Sequence, residues 1–312
     1  MSKIPLIIIA GPTASGKSQL AVELARHLNG EIVNGDSMQV YGHLVILTAQ
    51  PKETDLKAVP HHLYGVLKQD EIGSVAWWCS EASARIKAIH QAGKIPIVVG
   101  GTGLYLNALL YGLSEIPSIP DDIRQMVRLK QQQMSKEDFY QEVISQDSKL
   151  VGALHPSDRQ RLMRALEVML VTGKSIKDWQ HQSIKHLDLN PFVIGINIPR
   201  ALLYQRINQR VLTMIEEGAL KEVEALSLRN LPVDHPIRKA LGVPEFAAYL
   251  KGTLSLEEAI ALVQQASRNY AKRQMTWFRN QMVSAITLEE WPTEEGFIEL
   301  LKTFKNFLNQ SI

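Results

Sequence analysis

One short segment near the start of the sequence carries residue types that bind phosphate. The segment satisfies the P-loop pattern G-x-x-x-x-G-K-S/T and reads Gly11-Pro12-Thr13-Ala14-Ser15-Gly16-Lys17-Ser18. Its glycines let backbone N–H groups converge on an anion, and the start of a following helix also favours negative charge. Lys17 can reach phosphate oxygens, and the Ser18 hydroxyl suits Mg²⁺. We therefore predict a diphosphate- or nucleotide-type ligand at 11–18, in preference to a glycine-rich turn that binds nothing.

Two further polar residues follow short apolar runs that are typical of buried strands. Asp36 comes just after Glu31–Asn34, and Thr102 comes just after Ile95–Val99. Because the carboxyl ends of parallel strands share one edge of a sheet, both residues should open toward the crevice of the P-loop. Asp36 could act there as a general base or a Mg²⁺ partner, but Gly-Asp-Ser is equally good turn chemistry. For Thr102 taken alone, a turn residue is the favoured interpretation.

A pair of arginines offers a second way to hold a diphosphate. Arg206 and Arg210 are four residues apart on the predicted helix Leu202–Glu217, so they share a face. Two arginines beside an apolar stripe could embrace a diphosphate in a bidentate manner. Periodicity alone nevertheless favours a solvated face with ion pairs.

Basic residues concentrate in two stretches, 159–177 and 268–279, and the second stretch also contains Tyr270, Trp277 and Phe278. Basic side chains with nearby aromatic rings suit a phosphate backbone and unstacked bases. The net charge of +2 is too small to indicate a nucleic-acid binder. For either stretch alone, a solvated helix face is the favoured interpretation.

Apolar and polar periodicities alternate along the chain and predict an α/β protein. The predicted strands are Lys3–Ala10, Glu31–Asn34, Ile95–Val99, Phe192–Ile198 and Ser284–Leu288. The predicted helices are about Gly16–Leu28, Ser74–Gln91, a helix from Leu104, helices within Leu202–Leu228, Pro244–Leu250, Leu256–Arg279 and Glu294–Leu308. This order implies a P-loop NTPase-like parallel sheet flanked by helices.

The stretch from Asp121 to about Gln182 is polar and helical throughout, and Pro117 and Pro120 mark its beginning. We therefore predict an all-helical insertion domain at 117–189. The catalytic core with its C-terminal helices would then consist of residues 1–116 and 190–312.

Composition limits the classes of function. Of the 312 residues, 45% are hydrophobic and 21% charged, and no apolar run is long enough to cross a bilayer. The early apolar run ends at a glycine motif and lacks the features of a signal or transit peptide, so a cytoplasmic location without membrane association is expected. The single cysteine, Cys79, permits no intrachain disulfide or cysteine-based zinc site and is expected to be a buried thiol.

Taken together, the motifs resemble those of the tRNA dimethylallyltransferases, also called tRNA isopentenyltransferases, over nearly the whole chain. The matching stretches, in the family's order, are GPTASGKS at 11–18, GDSMQVY at 35–41, PHHL at 60–63, GGTGLYLNALLYGL at 100–113, HPSDRQRLMRALEV at 155–168, YQRINQRV at 204–211 and YAKRQMTWFR at 270–279.

The resemblance implies a reaction and its partners. A dimethylallyl group would move from dimethylallyl diphosphate to N6 of the adenosine immediately 3′ of the anticodon in tRNA, and diphosphate would leave. The P-loop would hold the donor's diphosphate and would not serve ATP hydrolysis. The resemblance also implies a P-loop core with a helical insertion on the anticodon stem-loop, Mg²⁺ as cofactor, and a monomer of the compact bacterial type that lacks a zinc finger.

The resemblance further implies roles for particular residues. Asp36 matches the base that takes the proton of the adenine amine, and Lys17, Ser18 with Mg²⁺, and Arg210 match positions that neutralise the diphosphate. Thr102 matches a residue that contacts the target nucleotide. The positions that match tRNA-contacting segments are Asp36, Ser37, Met38, Gln39, Thr102, Arg124, Gln160, Arg161, Leu162, Met163, Arg164, Arg238, Lys239, Ala240, Leu241, Gly242 and Val243.

Two segments depart from the family's usual pattern. An acidic residue, a glycine and a lysine of the family are replaced by Val45, Leu47 and Gln50, and an aromatic residue is replaced by Val243. The base, the P-loop and the arginine are intact, so activity is still expected.

Two other functions fit parts of the same pattern. A P-loop kinase would bind ATP at 11–18 and use Asp36 as the base for a metabolite's hydroxyl, but it would not need the basic stretches. A non-catalytic RNA-binding protein could retain the P-loop as a relic, and the altered loop at 42–50 is the best support for that alternative.

Overall fold

The structure is a computed structural model that describes residues 3–68, 71–180, 183–232 and 235–310. The chain divides into two compact units, Met1–Leu110 with His186–Ile312, and Tyr111–Lys185. Both boundaries come a few residues earlier than the predicted limits of 117 and 189. The first boundary comes earlier because a short antiparallel ribbon, which pairs Leu113 with Ile184, holds both ends of the second unit together.

The first unit is built around a six-stranded sheet in the order β3-β2-β4-β1-β7-β8, and every neighbouring pair is parallel. Its strands are β1 (Ile4–Ala10), β2 (Gly30–Asn34), β3 (His61–His62), β4 (Ile95–Gly100), β7 (Leu189–Ile196) and β8 (Ile286–Leu288). The predicted parallel α/β fold is therefore confirmed.

Strand β1 lies in the middle of this sheet. Its residues from Pro5 to Ala10 are all buried, as expected for a strand covered on both faces. In register, Ile7 lies opposite Ile97 of β4 on one side and Phe192 of β7 on the other. The P-loop thus leaves the centre of the sheet, at the edge where the other carboxyl ends also meet.

Helices flank the sheet. They are α1 (Lys17–Leu28), α2 (Glu53–Ala58), α3 (Val75–Gln91), α4 (Gly103–Tyr111), α9 (Arg200–Glu217), α10 (Ala219–Ser227), α11 (Val243–Leu250), α12 (Leu256–Gln281) and α13 (Glu294–Asn309). A 3-10 turn spans Pro236–Lys239. In α1 the apolar residues recur every three or four positions, so one face enters the core, as with Leu20 and Leu24.

Local chemistry explains where the helices begin and end. Ser74 caps α3 by accepting a hydrogen bond from the N–H of Trp77. Ser255 and Glu258 form a reciprocal capping box at the start of α12. Gly218, with φ of 108°, ends α9 and begins α10, because a left-handed conformation stops a helix and suits glycine.

The second unit is mainly helical. It contains β5 (Leu113–Ser114), α5 (Asp121–Gln133), α6 (Lys136–Gln146), a 3-10 turn (Ser148–Leu150), α7 (Arg159–Thr172), α8 (Ile176–Gln180) and β6 (Ser183–Ile184). Val127, Phe139 and Leu162 belong to a buried apolar cluster within this unit. The helical character of the stretch is therefore as predicted, although its predicted end near residue 182 lies outside the described residues.

Several short elements were not predicted from sequence, namely α2, β3, β5 and β6. The buried Cys79 thiol was predicted correctly, and burial raises its pKa. Across the described ranges, no helix is both long and apolar enough to cross a membrane.

Candidate active site

The P-loop has the backbone of an anion-binding loop. It runs from the end of β1 to Lys17, the first residue of α1. Gly16 has φ of 93° and Ala14 has φ of 62°, so the chain twice adopts the left-handed conformation in this loop. Successive N–H groups of such a loop point into a concave space that attracts anions. The P-loop context of a strand before and a helix after is therefore present.

Two cations converge on the P-loop. Lys17 Nζ lies 3.2 Å from the carbonyl oxygen of Pro12, to which it donates a hydrogen bond. Arg210 of α9 donates to the Thr13 hydroxyl over 3.0 Å. Burial lowers the pKa of Lys17 to about 8, with Asp36 raising it and Arg210 lowering it further. Burial also lowers the pKa of Arg210. Two cations held in a partly dehydrated space create a site suited to a multiply charged anion.

Asp36 lies beside these cations and is also part of a turn. Its Oδ1 accepts a hydrogen bond from the N–H of Met38 over 2.8 Å, so the turn interpretation is observed. The completely buried Asn34 supports the same turn, because its side chain bonds both the N–H and the carbonyl oxygen of Asp36. Asp36 also lines the same cavity as Lys17 and Arg210. Asp36 therefore stabilises the turn and lines the cavity at the same time.

Thr102 meets the segment of Asp36 directly. Its hydroxyl accepts a hydrogen bond from the N–H of Ser37 over 3.0 Å, and its own N–H donates to the carbonyl oxygen of Gly35 over 3.3 Å. The two loops approach so closely that a Cβ added to Gly100 would lie 2.1 Å from the Gly35 carbonyl oxygen. Glycine is therefore required at position 100, and the predicted meeting of the two strand ends is observed.

The P-loop, Asp36 and Arg210 border one cavity of about 930 Å³ in the first unit. Other residues that line this cavity include Ser18, Gln39, Gln50, Tyr64, Arg206 and Trp291. Trp291 packs over the P-loop, with its ring 3.6 Å from the position that a Cβ of Gly16 would occupy. Sequence reasoning did not single out Tyr64 or Trp291. Both lie in short loops between elements, where neither spacing nor periodicity relates them to the P-loop.

Gln274 of α12 was also missed, although it joins the two sides of the site. It is 5% exposed, its Oε1 accepts from the N–H of Thr13, and its Nε2 donates to the carbonyl oxygen of Gly101, each over 2.9 Å. A glutamine on the buried stripe of a helix that also includes Ala271 is the signal that could have found it.

The loop that departs from the family pattern is held by its own contacts. Glu222 accepts hydrogen bonds from the N–H groups of Ile46 and Leu47 over 2.8 and 3.0 Å. The Gln50 amide donates to the carbonyl oxygen of Tyr41 over 2.8 Å. Leu47 is buried against Gly242, where an added Cβ would lie 2.9 Å from its Cδ2. Of the replaced residues, Gln50 lines the cavity, Leu47 is buried and Val45 is exposed.

The residues implied to touch RNA differ in how much they expose. In the helical unit, Arg124, Gln160 and Arg161 are exposed, whereas Met163 and Arg164 are half-buried. Leu162 is completely buried in that unit's core, so the implied contact cannot come from its side chain. This correction follows from helical periodicity, which turns one residue of the segment inward.

The segment at 238–243 is also only partly exposed. Ala240, Gly242 and Val243 are buried, and Arg238 donates to the carbonyl oxygens of Arg229 and Leu231. Of the six positions, Lys239 is exposed and Leu241 is half-buried. Much of the segment therefore packs within the fold, and Lys239 is its exposed side chain.

The second basic stretch, 268–279, also contains both exposed and packed side chains. Arg268 bonds the side-chain oxygen of Asn208 over 2.6 Å, and the guanidinium of Arg273 lies over the ring of Tyr270. Trp277 packs closely against Gly103, while Lys272 is exposed. The solvated-face interpretation therefore holds for only part of this stretch.

Ser18 is the residue that could hold Mg²⁺. It is exposed at the start of α1 and lines the cavity. No group of three or more histidine, cysteine or acidic side chains within the described ranges is arranged to hold a metal. Mg²⁺ commonly takes few protein ligands and completes its shell with water and substrate phosphates, so one hydroxyl beside a phosphate loop fits it.

Comparison with known proteins places these features in context. The family model described as IPP transferase matches residues 39–281. A tRNA dimethylallyltransferase of Allorhizobium ampelinum is 44% identical over 284 residues, which cover 88% of this chain and 91% of that protein. One from Rhizobium etli is 45% identical over 284 residues, which cover 88% and 94%.

Two solved structures are also similar. The tRNA isopentenylpyrophosphate transferase of Bacillus halodurans superposes with a TM-score of 0.72 at 36% identity, covering 99% of this chain and 98% of that one. A eukaryotic dimethylallyltransferase described as acting on tRNA gives a TM-score of 0.75 at 31% identity, covering 89% of this chain and 70% of that one.

Proposed function

The chain belongs to the IPP transferase family, and from that membership we propose that it transfers a dimethylallyl group to tRNA. The donor is dimethylallyl diphosphate, the acceptor is N6 of the adenosine immediately 3′ of the anticodon, and diphosphate is released. The observation that carries the proposal is the convergence of Lys17, Arg210 and Asp36 on one cavity. Lys17 and Arg210 are available there for a leaving diphosphate, and Asp36 is available for a proton.

The donor's diphosphate binds at the P-loop in this proposal. Backbone N–H groups of the P-loop and of the start of α1 surround its oxygens, while Lys17 and Arg210 neutralise the charge that grows as the carbon–oxygen bond breaks. Ser18 and the diphosphate oxygens would hold Mg²⁺, which when bound supplies further positive charge to the leaving group. The P-loop therefore grips a leaving group here, and no phosphorus–oxygen bond is broken.

Asp36 serves as the base. The lone pair of the adenine N6 attacks C1 of the dimethylallyl group, the C1–O bond breaks with its electrons passing to the diphosphate, and the N6 proton passes to Asp36. The exocyclic amine is a poor nucleophile because its lone pair is delocalised into the ring, so removal of its proton matters. Thr102, which is hydrogen-bonded to the segment that follows Asp36, contacts the target nucleotide.

The tRNA partner is supported by the family and by exposed charge. Arg124, Gln160 and Arg161 of the helical unit are exposed and can meet the phosphates of the anticodon stem-loop. The target base must leave its stack to reach Asp36, as with other enzymes that modify bases. We also propose a monomer that works in the cytoplasm.

A transfer assay tests the proposal. The protein is incubated with labelled dimethylallyl diphosphate, Mg²⁺ and an unmodified tRNA transcript, and we expect label in the RNA. A matched transcript with guanosine in place of the target adenosine should take none. Absence of transfer with ATP consumed on a metabolite would instead support a kinase. Tight tRNA binding without product would support a non-catalytic RNA-binding protein.

A further inference from the structure

The side chain of Gln274 connects two loops that carry different parts of the site. Its carboxamide oxygen accepts from the backbone N–H of Thr13, and its nitrogen donates to the carbonyl oxygen of Gly101. We infer that Gln274 is a positioning residue that sets the distance between the donor side and the base side of the reaction. This inference rests on the proposed function.

The two partners of Gln274 lead to different reacting groups. On the donor side, the hydroxyl of Thr13 accepts from Arg210, so the P-loop and its arginine are fixed together. On the base side, Gly101 precedes Thr102, whose hydroxyl accepts from the N–H of Ser37 next to Asp36. Hydrogen bonds, linked through the covalent structure of Thr13 and of Gly101-Thr102, therefore join the cation that neutralises the diphosphate to the segment that carries the base.

The connection leaves little room for movement. Gln274 is 5% exposed, and a Cβ added to Gly101 would lie 2.2 Å from its Nε2. Helix α12 thus approaches the loop as closely as glycine allows. A backbone N–H requires an acceptor and a carbonyl oxygen requires a donor, so a neutral carboxamide satisfies both in one orientation only.

Gln274 acts through other residues, since it is absent from the side chains that line the 930 Å³ cavity. The adenine N6 and the prenyl C1 are brought by separate substrates, so their approach depends on how the two loops are spaced. A misplacement of about 1 Å can cost roughly 100-fold in rate. Loss of the bridge should therefore lower kcat while leaving the binding of each substrate largely unchanged.

Two substitutions separate positioning from simple packing. Gln274→Leu keeps the volume of the side chain and removes both hydrogen bonds. Gln274→Glu keeps the acceptor for Thr13 but, while ionised, cannot donate to Gly101. When protonated, its carboxyl group can again make both bonds, and burial favours the protonated form. Gln264→Leu is the matched control, because Gln264 lies on the same helix and donates to the carbonyl oxygen of Asn208 away from the cavity.

The experiment measures kcat and KM for prenyl transfer to tRNA across the pH range. For Gln274→Leu we expect kcat to fall by roughly 10- to 100-fold with KM values within about threefold, at a ratio to wild type that does not change with pH. For Gln274→Glu we expect the same loss near about pH 8.5 and a recovery of about tenfold or more toward about pH 6. Gln264→Leu should match wild type throughout.

A second measurement keeps the inference testable if the proposed function is wrong. Prenyl transfer by the wild-type protein tests the proposed function by itself. Hydrogen exchange of the Thr13 amide tests the bonds of Gln274 without any reaction, and we expect faster exchange in Gln274→Leu than in the wild-type protein. Unchanged exchange at Thr13, full kcat in Gln274→Leu, or a Gln274→Glu profile parallel to that of Gln274→Leu would overturn the inference.

Discussion

Lys17 shows how a single charged residue is held ready for an anion. Burial lowers the pKa of its ammonium group to about 8, and Arg210 adds to the effect while Asp36 opposes it. Both cations interact with the Asp36 carboxylate, and Arg210 also interacts with Glu217, but burial still lowers the pKa of each cation. A diphosphate offsets this cost of burial, because it supplies negative charge to the desolvated cations.

This arrangement predicts that diphosphate binding weakens with rising pH. The ammonium form of Lys17 is the form that binds, and above about pH 8 the free protein must first take up a proton, so affinity for inorganic pyrophosphate should fall by up to about tenfold per pH unit. Calorimetry of pyrophosphate binding between about pH 7 and 9.5 measures this. In Lys17→Met, pyrophosphate affinity should be lower, and the fall of affinity with rising pH seen in the wild-type protein should be absent. If the same fall occurs in Lys17→Met, the titration belongs to another group.

Asp36 has two duties that one substitution can separate. Asp36→Asn retains the Oδ1 that accepts from the N–H of Met38, so the turn should survive, but the amide cannot take a proton. We expect kcat for transfer to fall by roughly 100- to 10,000-fold, while tRNA affinity stays within about threefold.

Asp55→Asn is the control for this prediction, since Asp55 is another carboxylate that lines the same cavity. Kinetic and tRNA-binding assays of both variants decide the matter. Near-normal kcat in Asp36→Asn would remove Asp36 as the base.

At the residue scale, sequence could predict groups whose roles follow from a motif but not groups whose roles follow from tertiary contacts. The P-loop pattern located Lys17 and its neighbours at the end of a strand. Periodicity favoured a solvated Arg210, whereas the side chain is half-buried and bonds Thr13. Gln274 is separated from Thr13 by most of the chain, so no local pattern could relate the two.

At the element scale, the loop at 42–51 shows how one wall of the cavity is kept in place. The carboxylate of Glu222 on α10 binds two consecutive backbone N–H groups of this loop, those of Ile46 and Leu47. Gln39 donates to the carbonyl oxygens of Thr48 and Ala49, each over 2.9 Å. The two bonds to the Glu222 carboxylate are charge-assisted, and such hydrogen bonds are among the stronger ones in proteins.

Because Glu222 holds this loop, we expect its substitution to affect both stability and donor binding, although Glu222 lies outside the residues that line the cavity. Glu222→Ala leaves two N–H groups without their acceptor and should lower the free energy of unfolding by about 1–3 kcal/mol. It should also raise KM for the prenyl donor several-fold, because Gln50 and its neighbours line the cavity. Urea unfolding and steady-state kinetics measure the two effects. Glu224→Ala, on the exposed face of the same helix, is the control, and equal effects in both variants would contradict the prediction.

Elements with long periodic patterns were predicted from sequence, and short ones were not. Helices α3, α12 and α13 agree with their predicted limits to within two residues, because their apolar spacing and caps are strong signals. Helix α2 and strand β3 are short and polar and depend on neighbouring parts of the fold. The end of α9 at Glu217 agrees with the predicted end of the helix Leu202–Glu217.

At the scale of the whole molecule, binding of tRNA should depend on charge more than the net charge of +2 suggests. The helical unit and α12 both carry exposed basic residues, among them Arg124, Arg161 and Lys272, which can replace the counterions of phosphates. We expect the logarithm of tRNA affinity to fall linearly with the logarithm of salt concentration, with a slope steeper than about −2.

A single exposed arginine should account for about one unit of that slope. Arg161→Ala should weaken tRNA binding and make the slope shallower by about one, since its side chain is exposed. Lys302→Ala, an exposed change on α13, should leave the slope unchanged. Filter binding over a salt series measures both variants, and a flat response in the wild-type protein would show that phosphates are not contacted.

The central position of β1 has a consequence for the time course of synthesis. Its partner β4 follows early in the chain, but β7 begins only at Leu189, and the intervening residues take roughly 10–40 s to translate at about 5–20 residues per second. For that time, one edge of an isoleucine-rich strand has no neighbour and is open to pairing with other chains. The helical unit is translated in the same interval and can bury its own core meanwhile. The strand that delivers the P-loop thus leaves the ribosome well before β7, the neighbour that encloses its second edge.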